Sequence, residues 1–323
     1  MSNKVSIRTV TDFVNAIEQK WNSWGKAHPV WFRGESDWGR DEHAQKGHVV
    51  PLPLCPRIHA HNSRQENYLL QTFRRKAGGF ANMPPFERTD LWLFRAQHYN
   101  VPTRLLDWSE GALLALFFAI NENKVNPRVY MLHPHRLNAL ACDELIEIHG
   151  TVNDRSFERV MGLRREVDEP LDRYRARIRN AVMMVRKVKE DACNFPLTWK
   201  GGSLPAIGYV NIAPAWEERG EKSGRTGIRT PIAIPATYQD TRMIAQRSCF
   251  TIHGKSLISI TDIVTSRTDG NLEYCLKEFP IDPESRDQIL EELNMLGITR
   301  SSIYPDLDRL GYDLAKEAKR LEC

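Results

Sequence analysis

Apolar residues recur along the chain in two rhythms, one helical and one alternating. Between positions 11 and 24, Phe13, Val14, Ile17, Trp21 and Trp24 return at helical spacing, and Thr11 is placed to cap that helix. Gly25 and Pro29 break the pattern. Val30, Trp31 and Phe32 then form a short β-branched and aromatic strand that ends in Arg33-Gly34. Residues 37–47 are polar and read as a surface loop, and Pro51, Pro53 and Pro56 keep the following stretch extended. Residues 63–76 are helical, with Tyr68, Leu69 and Phe73 on one face and Glu66 and Arg74 beside it. A further helix over 91–99 is ended by Asn100-Val101-Pro102.

The clearest helix spans 107–121. Asp107 stands at its cap, Glu110 at the capping-box position, and 111–120 is almost wholly apolar. A helix apolar on every side is buried on every side, so this is the expected central core helix. Residues 128–132 read as a strand. Residues 154–191 are dense in Arg, Lys, Glu and Asp with apolar residues at helical spacing, and read as a charged helical insertion. A loop-rich stretch follows over 201–227. Short strands are expected at 232–235, 243–245, 249–252 and 257–264. A helix over 284–296 is closed by Gly297, and Tyr304-Pro305-Asp306 opens the last helix. Strands and helices mix without a regular βαβ rhythm, which makes the fold class α+β, mixed strands around a buried central helix. Neither a G-x-G-x-x-G nor a G-x-x-x-x-G-K-[ST] motif is present.

Composition narrows the function classes. Hydrophobic residues make up 41% and charged residues 27%, ordinary for a globular chain. No apolar run approaches about 18 residues, so no membrane span or membrane partner is expected. Residues 1–11 lack the apolar core of a secretory signal, which points to a cytoplasmic location. The six cysteines have no zinc-ligand spacing, and no metal is expected. The net charge of +4 arises from 45 basic against 41 acidic residues, so any anion site must come from local clustering.

Three stretches carry chemistry. Arg33 ends an apolar strand, which would hold its planar donors rigidly for phosphate or carboxylate, or else in an ion pair with a buried acid such as Asp107. Gly34 lets a ligand or another backbone come close. Next, 97–109 concentrates polar side chains ahead of the buried helix, whose N-terminus would favour an anion. There His98 could move a proton, Asp107 is read as a cap rather than a catalytic acid, Trp108 as core, and Tyr99 as either core or contact. Last, Gln246 precedes an apolar strand, where its amide could bond a ribose or satisfy buried backbone groups. Cys249, inside that strand, reads as an inert core thiol.

Together these stretches resemble the FRG domain, a family named for an aromatic-Arg-Gly motif. Phe32-Arg33-Gly34-Glu35-Ser36 matches that opening, Pro53 to Arg57 the motif after it, and Glu66, Phe73 and Arg74 the next helix. The most specific likeness is Gln97-His98-Tyr99 with Pro102-Thr103-Arg104-Leu105-Leu106-Asp107-Trp108-Ser109, continued through 115–119. Ala245-Gln246 with Phe250-Thr251-Ile252, and Tyr304-Pro305-Asp306-Leu307, resemble its late signatures. The resemblance implies an FRG domain over 25–312, with the insertion near 154–191, preceded by an N-terminal helix (1–24) and followed by a helix end (313–323). Asn100, Glu35 and Ser248 depart from the usual glycine, glutamine and glycine, and asparagine also tolerates positive φ.

A more distant likeness is to the ADP-ribosyltransferases, which implies a split sheet and NAD as substrate. On that analogy Arg33, Gly34, Tyr99, Arg104 and Ser109 would bind the dinucleotide, and Arg33, His98, Thr103 and Gln246 would form the catalytic set. Gln246 lacks the charge of the glutamate usual there, which weakens stabilisation of an oxocarbenium-like transition state. Three functions follow. One is an NAD-using transferase or glycohydrolase in bacterial stress or phage defence, with a protein or nucleic-acid acceptor. Another is a non-catalytic module binding a small nucleotide or metabolite. The third is a nucleic-acid-associated protein, resting on Arg164-Arg165, 173–179 and 186–189, which also read as a solvated helical face.

Overall fold

The computed structural model of the chain describes residues 6–27, 29–37, 54–56, 64–80, 82–86, 88–121, 125–149, 168–173, 206–207, 210–211, 229–253 and 258–321. Thr9 starts the first helix, α1 (Val10–Ser23). Its hydroxyl accepts from the Asp12 amide and Asp12 accepts from the Thr9 amide, so the capping box lies two residues before the expected Thr11. Strand β1 (Trp31–Asp37) follows, then helices α2 (Arg64–Ala77) and α3 (Thr89–His98), strand β2 (Leu105–Ser109), helix α4 (Ala112–Ile120) and strand β3 (Val125–Leu132). Beyond these come α5 (Pro134–His149), a short hairpin of β4 (Ala206–Ile207) and β5 (Val210–Asn211), β6 (Ile232–Pro235), α6 (Thr241–Ala245), β7 (Ser248–Ile252) and α7 (Ile260–Arg267). The chain closes through β8 (Leu276–Pro280), α8 (Arg286–Met295), α9 (Arg300–Ile303) and α10 (Leu307–Leu321).

Six strands make one continuous antiparallel sheet in the order β6-β7-β2-β1-β3-β8. Strand alternation sorts its side chains to two faces. Phe32, Val129, Met131 and Phe279 meet α1, α4 and α8 on one face. Trp31, Leu106, Trp108, Tyr130, Leu132 and Cys249 meet Leu137 and Leu140 of α5 and Ile260 and Val264 of α7 on the other. The sheet is thus sandwiched between two helical layers, an α+β architecture. The edge strand β6 is held from α5. Asn138 donates to the Ala233 carbonyl at 3.0 Å and accepts from its amide at 2.7 Å. Glu144 accepts from the Arg229 and Thr230 amides at 3.0 and 2.8 Å. Buried side chains thereby do for the edge what a further strand would do.

Helix and sheet approach closely at Gly34. A Cβ there would fall on the Ala115 carbonyl oxygen and 2.5 Å from the Ala119 amide nitrogen, in the path of α4's own hydrogen bond. Helix backbone therefore occupies the space beside Gly34, so of the two expected visitors, ligand or backbone, it is backbone that comes close.

Several expectations change. Asp107 does not cap the apolar helix, because 105–109 is strand β2. Helix α4 starts only after Gly111, without a side-chain cap, and Ser109 Oγ instead accepts from the Gly111 amide at 2.9 Å. That helix is buried against one face of the sheet, in the α+β arrangement expected. Residues 243–245 are helical, started by Asp240, and 257–264 contributes the start of α7, capped by Ser259. No expectation attached to 134–149 or 276–280, which form α5 and β8. The loop expected over 37–47 lies outside the described residues apart from Asp37, in β1, as does the proline stretch apart from 54–56. The charged insertion lies outside them except for 168–173, and 201–227 except for the β4–β5 hairpin.

His133, just after β3, is fully buried, with its ring 5.6 Å from that of Trp24. Burial, aided by Arg136 and His135, pushes its pKa down to about 3.

Replacing Gly34 by Ala forces α4 off the sheet and should destabilise the fold by about 3 kcal/mol or more in urea unfolding. His133 gives a pH test. It stays neutral when folded and gains a proton near pH 6.5 when unfolded, so stability is lost as pH falls from 6.5 towards 3. Between pH 7 and 5 this one group should remove up to about 2 kcal/mol, and His133→Gln should flatten that part of the slope.

Candidate functional site

The site grows from a parting of strands. β1 and β2 share a single register pair, Phe32 with Ser109. The Arg33 guanidinium takes over beyond it, donating from Nη1 to the Asp107 carbonyl at 2.7 Å. Its Nε donates to Glu35 Oε1 at 2.6 Å. Glu35, two residues along the same strand face, also accepts from the Leu54 amide at 3.3 and 3.2 Å. The ion pair foreseen with Asp107 is therefore made with Glu35, while Asp107 contributes its backbone oxygen. The Arg33 side chain keeps 22% of its surface exposed.

A second polar network lies on the opposite face of the sheet, because Asp107 alternates with the core residues Leu106 and Trp108. Thr103 accepts from the Leu105 amide at 3.1 Å and donates to Gln97 Oε1 at 2.6 Å, and Gln97 Nε2 donates to Asp107 Oδ2 at 2.6 Å. Gln97 and Thr103 are buried and Asp107 is exposed. Asn100, in the turn between α3 and this network, takes φ +62°, the left-handed conformation that asparagine tolerates. Trp108 is core and donates to Thr251 Oγ1 at 3.1 Å.

Other expected site residues serve other neighbours. His98 Nε2 stands 3.5 Å from Asp240 Oδ2, which also meets Arg95 Nη1 at 3.3 Å. Burial lowers the His98 pKa, opposed by the Asp240 charge. Tyr99 is exposed, its ring 5.2 Å from that of His98 and 6.4 Å from that of Phe73. The Arg104 carbonyl accepts from the His253 amide at 3.0 Å. Ser109 Oγ donates to the Gln246 carbonyl at 2.7 Å, whereas the Gln246 amide reaches the Ile303 carbonyl at 3.4 Å. Burial pushes the Cys249 thiol well up, in keeping with an inert core sulfur.

Arg33 and Asp107 thus meet, as do Thr103 with Asp107 through Gln97, and Ser109 with Gln246. Arg33 and the Gln97–Thr103 pair do not share a face. Asp240 is a hub that the pattern reading passes over, although an Asp three residues before an amide it caps, that of Met243 at 2.9 Å, is a helix-start signal.

This is an α+β protein whose central strand presents an arginine at the point where two strands part. The family model for the FRG domain matches residues 28–127, and the chain carries an FRG domain. The match covers β1, α2, α3, β2, α4 and the start of β3, while β6, β7 and β8, which complete the sheet, lie beyond it. No curated protein and no solved structure matches the chain. Among the described residues, no helix is long and apolar enough to cross a membrane.

Gln97→Leu should cost about 2 kcal/mol, because it strips the buried Thr103 hydroxyl of its acceptor. Chemical denaturation of the variant against wild type measures this, with Gln97→Glu as a size-matched comparison.

Proposed function

We propose that the FRG domain here is a binding module for an anionic small molecule, a nucleotide or phosphate-bearing metabolite, gripped by Arg33. One observation carries this reading. A guanidinium has five N–H donors, and two are used, one on Glu35 and one on the Asp107 carbonyl. Those two bonds fix the plane of the group, while Nη2 makes no hydrogen bond among the described residues. A planar donor held in place and partly open to solvent suits a phosphate or carboxylate, because little side-chain freedom is lost on binding. Glu35 lowers the net charge offered to a ligand, so orientation rather than bulk attraction supplies the selectivity.

Binding is favoured over NAD turnover by what surrounds the other expected catalytic groups. Transfer from NAD needs a side chain at the nicotinamide ribose. Thr103 is buried with its hydroxyl bonded on two sides, and the Gln246 amide points to the Ile303 carbonyl. His98 is turned to Asp240.

Thermal unfolding with NAD, ADP-ribose, ATP and inorganic phosphate tests the proposal. A ligand at a hundred times its Kd adds about 2.7 kcal/mol, enough to raise Tm by several degrees. Arg33→Lys, which keeps the charge and loses the fork, should abolish the shift while the protein still melts cooperatively. A shift that survives Arg33→Lys removes the site, and nicotinamide release from NAD that requires Arg33 replaces binding with catalysis.

A further inference from the structure

An interior strand with helices on both faces has every residue covered unless a cleft reaches it. β2 is such a strand, placed between β7 and β1. Leu105, Leu106, Trp108 and Ser109 are buried, and Asp107, in the middle, is exposed. The packing on its face explains the opening. Partners across an antiparallel ladder share a face, so Asp107 points the same way as Phe250. There α3 lies over β7, with Phe94 stacked on Phe250 at 5.1 Å, and α4 lies over β1 at Gly34. The Asp107 carboxylate therefore stands on the floor of a cleft between two helices.

That carboxylate is oriented as well as exposed. Gln97 and Thr103, both buried, form a relay of two 2.6 Å hydrogen bonds that ends on Oδ2. Oδ1 has no hydrogen-bond partner among the described residues. Burying an amide and a hydroxyl carries a desolvation cost, and here the buried pair holds one carboxylate oxygen so that the other is left to the cleft. Arg33 reaches the same place from β1. A strand carbonyl points along the sheet toward the neighbouring strand. The guanidinium that donates to the Asp107 carbonyl at 2.7 Å thus lies in the seam where β1 and β2 part. Bond lengths keep the Asp107 carboxylate within about 6 Å of that carbonyl. One strand residue therefore joins an open donor, Nη2 of Arg33, to an open acceptor, its own Oδ1.

Chemistry restricts what such a pair accepts together. An ionised carboxylate only accepts hydrogen bonds, and it repels a second phosphate. A cationic group at Asp107 would meet the Arg33 charge close by. What suits Asp107 is a neutral group that donates, as a hydroxyl does, and a bond from a hydroxyl to a carboxylate is among the stronger kind. We infer that Asp107 is a specificity-determining residue, which binds sugar hydroxyls through Oδ1 and so selects ligands whose phosphate, held by Arg33, is attached to a sugar. The inference rests on the reading of Arg33 as the anion grip. It adds that inorganic phosphate is the poorer ligand and that a sugar without its hydroxyls loses the advantage.

Calorimetric titration of the full chain with ribose 5-phosphate, inorganic phosphate, ATP and 2′,3′-dideoxy-ATP tests this. The wild type should bind ribose 5-phosphate about tenfold tighter than inorganic phosphate, and ATP about tenfold tighter than its dideoxy form, the worth of a hydrogen bond to a charged group. Asp107→Asn keeps an oxygen for Gln97 and turns the open acceptor into a donor. It should erase both preferences and tighten inorganic phosphate, which then faces one negative charge fewer. A merely structural role for Asp107 would instead weaken every ligand alike, and that result overturns the inference. If the variant does not fold, the two wild-type ratios decide. Equal affinity with and without hydroxyls, or preferences that survive Asp107→Asn, overturn the role of Asp107 and leave Arg33 as an anion grip. Absence of any binding that depends on Arg33 overturns both.

Discussion

The missing side chain of Gly34 is the constraint on which the site's geometry rests. It lets α4 lie on β1 so closely that even a methyl group would intrude between Ala115 and Ala119. Both of those helix residues are small and fully buried, so each partner of the contact gives up bulk at the crossing. With Gly34 turned to the helix, strand alternation turns Arg33 and Glu35 to the other face. The orientation of the arginine is thus a consequence of helix packing on its neighbour, and the F-R-G triplet is one mechanical unit. Phe32 and Gly34 serve one layer and Arg33 the other.

Asp107 is the second organising residue, and it works with two different groups. Its carbonyl receives Arg33 where β1 and β2 separate, and its carboxylate receives Gln97 from α3. A single strand residue therefore connects the polar systems on opposite faces of the sheet. The arrangement also satisfies groups that would otherwise be left over: a strand carbonyl without a strand partner, and a buried glutamine amide. Neither bond joins an acid to a base: Arg33 meets a backbone carbonyl, and the Asp107 carboxylate meets an amide.

The segment matched to the family does not close its own sheet. β7 lies beside β2, β6 beside β7, and β8 beside β3, and all three follow the matched residues in sequence. These pairings span long stretches of chain, so the core around β1 and β2 is complete only when distant segments arrive. The polar ties from Asn138 to Ala233 and from Glu144 to Thr230 fix one of those arrivals, at the outer edge where a strand would otherwise offer unpaired groups.

Sequence alone determined the elements whose signals are local. The apolar run of α4, the aromatic start of β1, the strand at β7 and the helix stop at Gly297, which takes φ +80°, are written in composition and spacing. So is the family likeness through 97–109, which depends on residue identity and not on contacts. What only the tertiary structure decided is where a polar residue spends its bonds. Asp107 looks like a helix cap from its neighbours, yet β7 pairs with 105–109 and draws the segment into the sheet. Arg33 has acids available at Glu35 and Asp107, and the choice between side chain and carbonyl is made by the parting of two strands. The three-residue segment 243–245 is too short for its period to show, so its helix is set by the Asp240 cap and by packing. Spacing reports which face a residue occupies; which atom it meets there depends on strands that the chain brings in from elsewhere.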